Sequence, residues 1–151
     1  MSFEISVVSN TPLTPLQDLD EILSIFLSQI GYLPPGYTPR NDALAVENSI
    51  PFRIFRDYFL RRSDRAWLVE EISADISATK ATVYRHVNKL KSLDILEEVY
   101  IEKDGQRKKG YRIRYGNISK AWNFTESNVQ SAMESYRKTV DHIQNISEAH
   151  K

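Results

Sequence analysis

The stretch from Leu68 to Tyr115 constrains the fold most, because it carries signals for two short helices in quick succession. Val69 and Ile72 have the spacing of the buried side of a helix over residues 68–76. Thr79 is a residue type that caps helices, and it predicts a further helix over residues 80–93. Since neither glycine nor proline separates the two helices, we expect a tight turn between them.

A pair of strands follows the second of these helices. Residues 95–103 favour a strand, and Asp104-Gly105-Gln106 favours a turn. Tyr111, Ile113 and Tyr115 alternate with period two, which predicts a return strand with these three side chains facing the core. The sequence therefore predicts a β-hairpin, whose tip over residues 103–110 we call the wing.

The N-terminal part contains a helix and a linker. Thr14, followed by proline and then by Gln17, has the pattern of a capping box, and we predict a helix over residues 15–30 that ends at Gly31. Three prolines between Tyr32 and Val46 indicate an extended linker. We therefore predict that the N-terminal helix and this linker form the first segment of the chain, residues 1–46.

Two further helices complete the prediction. One begins after Asn48 or Ser49, with Pro51 in its first turn, and continues to Arg62. The other is a long C-terminal helix in segment 117–151, with apolar residues that recur every seven positions in the manner of a coiled coil. We expect this stripe to form the interface of a homodimer through Trp122, Val129, Met133, Tyr136, Val140 and Ile143. The middle segment, 47–116, is the predicted functional domain.

The basic charge of the chain is concentrated in one region rather than spread over the whole protein. The whole chain has 20 basic and 20 acidic residues and a formal net charge of zero, so no general attraction to a polyanion is expected. The segment from Lys80 to Tyr115, however, contains ten basic residues and only five acidic ones. A basic helix face beside a basic hairpin tip can bind the phosphates of a DNA duplex, while helix side chains contact base edges.

The order of these elements is that of a winged helix-turn-helix, and the sequence of one part strengthens this interpretation. Residues 71–90, EISADISATKATVYRHVNKL, resemble the helix-turn-helix of ArsR/MarR-type and archaeal TrmB-like winged-helix transcription regulators. The resemblance covers about residues 49–115. It implies a mainly α fold with a small β-hairpin wing, an α+β winged helix, and it places the helix over 80–93 in the major groove. Such families usually have glycine at the positions of Ser77 and Asp94. Asp tolerates the left-handed backbone conformation, and neither departure overturns the resemblance.

The residues predicted to contact DNA lie on the second helix and the wing. The resemblance assigns base or phosphate contacts to the start of the helix, and the polar stripe and the cap extend this set. On the helix they are Thr79, Lys80, Ala81, Thr82, Tyr84, Arg85, Asn88 and Lys89. On the wing they are Arg107, Lys108 and Lys109, which are expected to lie along the minor groove or the backbone.

Other functions find less support in the sequence. The adjacent pair Asp141 and His142 points about 100° apart on a helix and cannot converge on one ion, so no metal and no cofactor are expected. No catalytic motif is present, which argues against an enzyme. The absence of cysteine and of a targeting signal is compatible with the cytoplasm. Two alternatives stay open, a winged-helix protein-interaction module of transcription or replication machinery, and a regulator gated by a small-molecule effector.

Overall fold

The computed structural model describes residues 3–8, 12–34 and 49–150 of the chain. The predicted linker lies outside the described residues from position 35 onward, and so does Asn48. Within the described parts the chain forms five helices and one hairpin. The predicted winged-helix α+β fold is confirmed, with its elements in the expected order.

The first helix, α1, spans Leu19–Gln29, so the predicted start at Pro15 is wrong. The residues before it form a turn instead, in which the Leu16 N–H donates to the Leu13 carbonyl at 3.0 Å. Asp18 occupies the N-cap position in place of Thr14. The helix ends as predicted near Gly31, whose positive φ of 87° suits glycine.

The second helix, α2, begins at Ile50 after Ser49 and changes its winding partway. Ile50–Arg53 is α-helical, and Ile54–Leu60 continues as a π-helix. The Arg61 N–H accordingly donates to the Arg56 carbonyl five residues back, at 3.0 Å. The predicted end at Arg62 is two residues too late, and the wider winding was not predicted.

The helix-turn-helix follows the prediction closely. Helix α3 spans Val69–Ile76 and helix α4 spans Lys80–Ser92. Ser77 turns the chain between them with a φ of 57°, and Asp94 follows α4 with a φ of 61°. The structure thus uses the left-handed conformation at both positions where the resembled families usually have glycine.

The hairpin consists of β1, Leu96–Lys103, and β2, Gln106–Ile113, paired antiparallel. Its turn has two residues rather than three, because Lys103 pairs directly with Gln106. Asp104 and Gly105 both have positive φ, 53° and 73°, as this type of tight hairpin turn requires. Trp67 forms an isolated antiparallel bridge to this hairpin through two backbone hydrogen bonds with Tyr111, of 2.7 and 2.8 Å.

The return strand therefore starts earlier and ends earlier than predicted. Tyr111 and Ile113 face the core as expected, but Tyr115 is 57% exposed, so its predicted core position is wrong. The alternation stops at Ile113, because residues Arg114–Gly116 form a helical turn in which Tyr115 has a φ of 59°.

The last helix, α5, spans the 32 residues of Ile118–Ala149, a length of about 48 Å. Only its first part packs on the rest of the chain. Thr125 is fully buried and donates a hydrogen bond to the Leu93 carbonyl at 2.7 Å, and Asn128 donates to the Asp94 carboxylate. From Met133 onward every described residue of α5 is exposed.

The hydrophobic core takes side chains from all five helices and from the hairpin. Its largest fully buried members include Leu27, Tyr32, Phe52, Phe55, Phe59, Ile72, Leu90, Ile95 and Ile113. The N-terminal helix α1 thus shares one core with the helix-turn-helix. Where the chain divides into functional segments stays a prediction. Among the described residues, no helix has the length and apolar character needed to cross a membrane.

Candidate nucleic-acid interface

Helix α4 is fixed to the core by one face and exposes the other. Val83, Val87 and Leu90 are completely buried. Thr79 caps the helix, since its hydroxyl oxygen accepts the Thr82 N–H at 3.1 Å. The helix therefore has a rigid N-terminal turn that faces solvent, which is a requirement for an element that enters a DNA groove.

Most of the predicted DNA-contacting residues of α4 lie on its outer face, at the cap or on the side toward the wing, whereas Lys89 lies on the side toward the N-terminal segment. Thr82 is half-buried and accepts a hydrogen bond from the Thr79 hydroxyl at 2.9 Å. All the others are exposed, namely Thr79, Lys80, Ala81, Tyr84, Arg85, Asn88 and Lys89. The structure thus brings most of this set together on one surface, with Lys89 at its border, while contact with DNA stays a prediction.

The basic residues of this surface differ in their partners, a difference that the sequence did not show. On the wing, the Lys108 ammonium lies 2.7 Å from the Glu70 carboxylate, and that of Lys109 lies 3.5 Å from Glu98. By contrast, Lys80, Arg85 and Arg107 form no ion pair with any residue that the structure describes. These three cations are therefore the ones most available to an external anion.

Arg107 is held in place by an aromatic ring. Its guanidinium lies 4.1 Å from the centre of the Tyr100 ring, which is 60% exposed. Such a cation–π contact restricts the arginine without neutralising its charge. Tyr100 was missed in the sequence, although the two-residue turn at Asp104-Gly105 fixes the register that pairs Tyr100 with Lys109 and places Arg107 diagonally beside it.

His86 lies on the inner side of α4. It is half-buried, its ring meets the edge of the Tyr32 ring at a centroid distance of 6.4 Å, and its Nδ1 has no hydrogen-bond partner among the described residues. Burial, followed by the charges of Arg85 and Lys89, lowers the pKa of His86 to about 4. His86 is thus a neutral packing residue near pH 7.

The stability of the fold should therefore decrease in mildly acidic solution. Because the pKa of His86 falls from 6.5 to about 4 on folding, the unfolded chain binds more protons in this interval. The free energy of unfolding should decline as the pH drops from 6.5 to about 4, and His86→Gln should flatten that decline. Urea unfolding across this range measures the effect. His142→Gln on exposed α5 is the matched control, and identical slopes for His86→Gln and the unmodified protein would contradict a neutral His86.

The predicted dimer stripe on α5 divides into two parts. Trp122 packs on its own chain, with its ring 5.5 Å from that of Phe26, and Val129 is half-buried. The other four residues, Met133, Tyr136, Val140 and Ile143, are between 53% and 65% exposed. Ile146 continues this exposed stripe at 45% and was missed. A second chain on these residues stays a prediction.

An open groove lies where the stripe meets the N-terminal segment. Its volume is about 560 Å³, and its walls come from residues 3–7, the end of α4 and the middle of α5. Glu4 and Lys89 are its charged lining residues. The Lys89 ammonium donates to the Tyr32 carbonyl at 3.4 Å. In the part of the chain that the structure describes, no three His, Asp or Glu side chains are arranged to hold a metal ion.

Comparisons with known proteins give a structural likeness but no family. No family model matches the chain, and no curated protein matches it. A solved structure of a possible transcriptional regulator from Methanosarcina mazei Go1 is 22% identical, with a TM-score of 0.43, over 61% of this chain and 75% of that one. At these values the function has to be argued from the residues of this chain.

Proposed function

We propose that this protein binds double-stranded DNA in a sequence-specific manner and regulates transcription as a homodimer. The observation that carries the proposal is the exposed face of α4, where Lys80 and Arg85 have no ion-pair partner among the described residues and Asn88 can hydrogen-bond to bases. Arginine and asparagine are side chains that read guanine and adenine in the major groove. The finer assignment to the ArsR/MarR or TrmB-like type belongs to this proposal, as does a place of action in the cytoplasm.

The wing contributes to this function by a different chemistry. The Arg107 guanidinium packs over the ring of Tyr100 near the tip of the hairpin. It forms no ion pair with any of the described residues. Such a side chain suits the minor groove or the phosphate backbone beside the groove that α4 occupies. Lys108 and Lys109 would bind backbone phosphates. Helix α4 thus supplies the sequence preference, and the wing supplies affinity.

The dimer sets the form of the DNA site. A second copy packed on the exposed stripe of α5 would bring two copies of α4 to one duplex. Two-fold symmetry in the protein implies a pseudo-palindromic operator with half-sites about one helical turn apart. The exposure of Met133, Tyr136, Val140 and Ile143 supports this arrangement, because soluble monomers seldom expose a continuous apolar stripe.

Replacing Arg85 tests the groove assignment. A preferred duplex is first selected from random DNA at low salt, and affinity is then measured by fluorescence anisotropy. Arg85→Ala should weaken binding by about 1–3 kcal/mol and relax the preference at one base pair. Arg137→Ala, which removes the same charge from an exposed position on α5, is the control and should bind normally.

Two outcomes would contradict the proposal. If Arg85→Ala kept the DNA affinity and the base-pair preference of the unmodified protein, α4 would not be the element that binds in the major groove. Failure of the unmodified protein to select any duplex at low salt would favour the alternative, a winged-helix protein-interaction module, which needs the hairpin but not the basic face of α4.

A further inference from the structure

A small cleft lies between the start of α4 and the wing. Its volume is about 250 Å³, and its polar lining comes from Glu70, Lys80, Tyr84, Lys108 and Lys109, with the start of α3 as its floor. Three lysines from two separate elements thus line one site. Without Glu70 the cleft would have the composition of a phosphate-binding site.

Glu70 contributes the one carboxylate among the described residues that line this cleft. It accepts a hydrogen bond from the Lys108 ammonium at 2.7 Å. That bond, with further help from the charges of Lys80 and Lys103, lowers the pKa of Glu70. Glu70 also belongs to the first turn of α3, so its backbone is fixed by the helix.

We infer that the Glu70 carboxylate occupies a subsite for one phosphate of the DNA backbone, and that it thereby limits the affinity of the protein for DNA. This inference rests on the proposed function. An incoming phosphate would have to displace the carboxylate from Lys108 or bind beside it. In either case Lys108 contributes less to binding than an unpaired lysine would, because one of its charge interactions is already made within the chain.

The effect should be independent of DNA sequence. Phosphate contacts carry no base information, so Glu70 would lower the affinity for the selected operator and for random DNA by the same factor. Removing Glu70 should also add one phosphate contact. The dependence of log affinity on log salt should then become steeper by about 0.9.

The test compares Glu70→Gln with the unmodified chain by fluorescence anisotropy, on the selected duplex and on random duplex. Glu70→Gln should bind both about fivefold more tightly at low salt, an effect of the size expected for one exposed ion pair. The double variant Glu70→Gln/Lys108→Gln should lose this gain. Glu126→Gln, which makes the same charge change at an exposed position on α5, is the matched control and should show no gain.

Several results would overturn the inference. They are an unchanged affinity in Glu70→Gln, an equal gain in Glu126→Gln, and a gain that persists in the double variant. Thermal unfolding of each variant checks that the fold is intact. An affinity gain without a steeper salt dependence would also count against a new phosphate contact.

A second measurement separates this inference from the proposed function. Pyrophosphate is titrated into the DNA-free, ¹⁵N-labelled chain, and the amide shifts of residues that line the cleft are followed. Glu70→Gln should reach half-saturation at about fivefold lower pyrophosphate than the unmodified chain. If neither protein bound DNA but this difference appeared, the anion subsite would stand and the DNA-binding proposal would fail. If DNA bound and neither assay responded to Glu70→Gln, the reverse would hold.

Discussion

Replacing Val140 with Asp is expected to convert the proposed homodimer into monomers. Val140 is 53% exposed in the single chain and lies in the middle of the apolar stripe on α5. In a dimer packed on that stripe, the new carboxylate would be buried without a partner in each copy. Burying an unpaired charge costs several kcal/mol, which exceeds what an ordinary interface can absorb.

Sedimentation at micromolar concentration measures this effect directly. Asn145→Asp is the matched control, because it adds a carboxylate to the same helix at an exposed position about 140° around the axis from Val140. The control should stay dimeric. Affinity for a duplex with two half-sites should fall in Val140→Asp alone, because its second copy of α4 is no longer tethered. A monomer mass for the unmodified protein would refute the dimer and the palindromic operator together.

Replacing Tyr32 with Ala is expected to destabilise the fold by about 3–5 kcal/mol, the range for a buried aromatic residue. Tyr32 is 1% exposed, and its ring lies 6.3 Å from that of Phe55 on α2. The same ring meets His86 on α4. The substitution would therefore leave a cavity at the junction of the N-terminal part, α2 and α4.

Urea unfolding of Tyr32→Ala and Tyr32→Phe separates packing from hydrogen bonding. The Tyr32 hydroxyl donates to the Pro51 carbonyl at 2.6 Å, and burial raises the pKa of this hydroxyl, which keeps it protonated. Tyr32→Phe removes only that bond and should cost about 1–2 kcal/mol. Equal losses in the two variants would show that the ring itself contributes little to stability.

Local signals in the sequence were sufficient for the order of the elements. Thr79 marked the start of α4, and Asp104-Gly105 marked the tight turn of the hairpin, because both act on the backbone within a few residues. Ser77 and Asp94 also adopt the expected left-handed conformation. The capping pattern at Thr14 failed, since the turn at Leu13 to Leu16 competes with the helix there.

The missing parts of the candidate interface depend on contacts between distant residues. Glu70 and Lys108 are 38 positions apart, and nothing near either residue indicates that they form an ion pair. From the sequence we therefore predicted that Lys108 and Lys109 are free cations. Tertiary packing instead places a carboxylate beside each of them. The π-helical winding of α2 over Ile54–Leu60 could not be predicted either. The spacing of apolar residues was taken over the whole segment and indicated only a helix.

The attachment of α5 to the end of α4 has a mechanical consequence. Thr125 is hydrogen-bonded to Leu93, and Asn128 is hydrogen-bonded to Asp94. Leu93 and Asp94 directly follow the last turn of α4. The first part of α5 is thus held by hydrogen bonds against the residues that directly follow α4. In the proposed dimer, a change in the angle between the two copies of α5 would be transmitted to the distance between the two copies of α4. A change at this junction would therefore alter the half-site spacing that suits the proposed dimer, without altering any of the residues predicted to contact DNA.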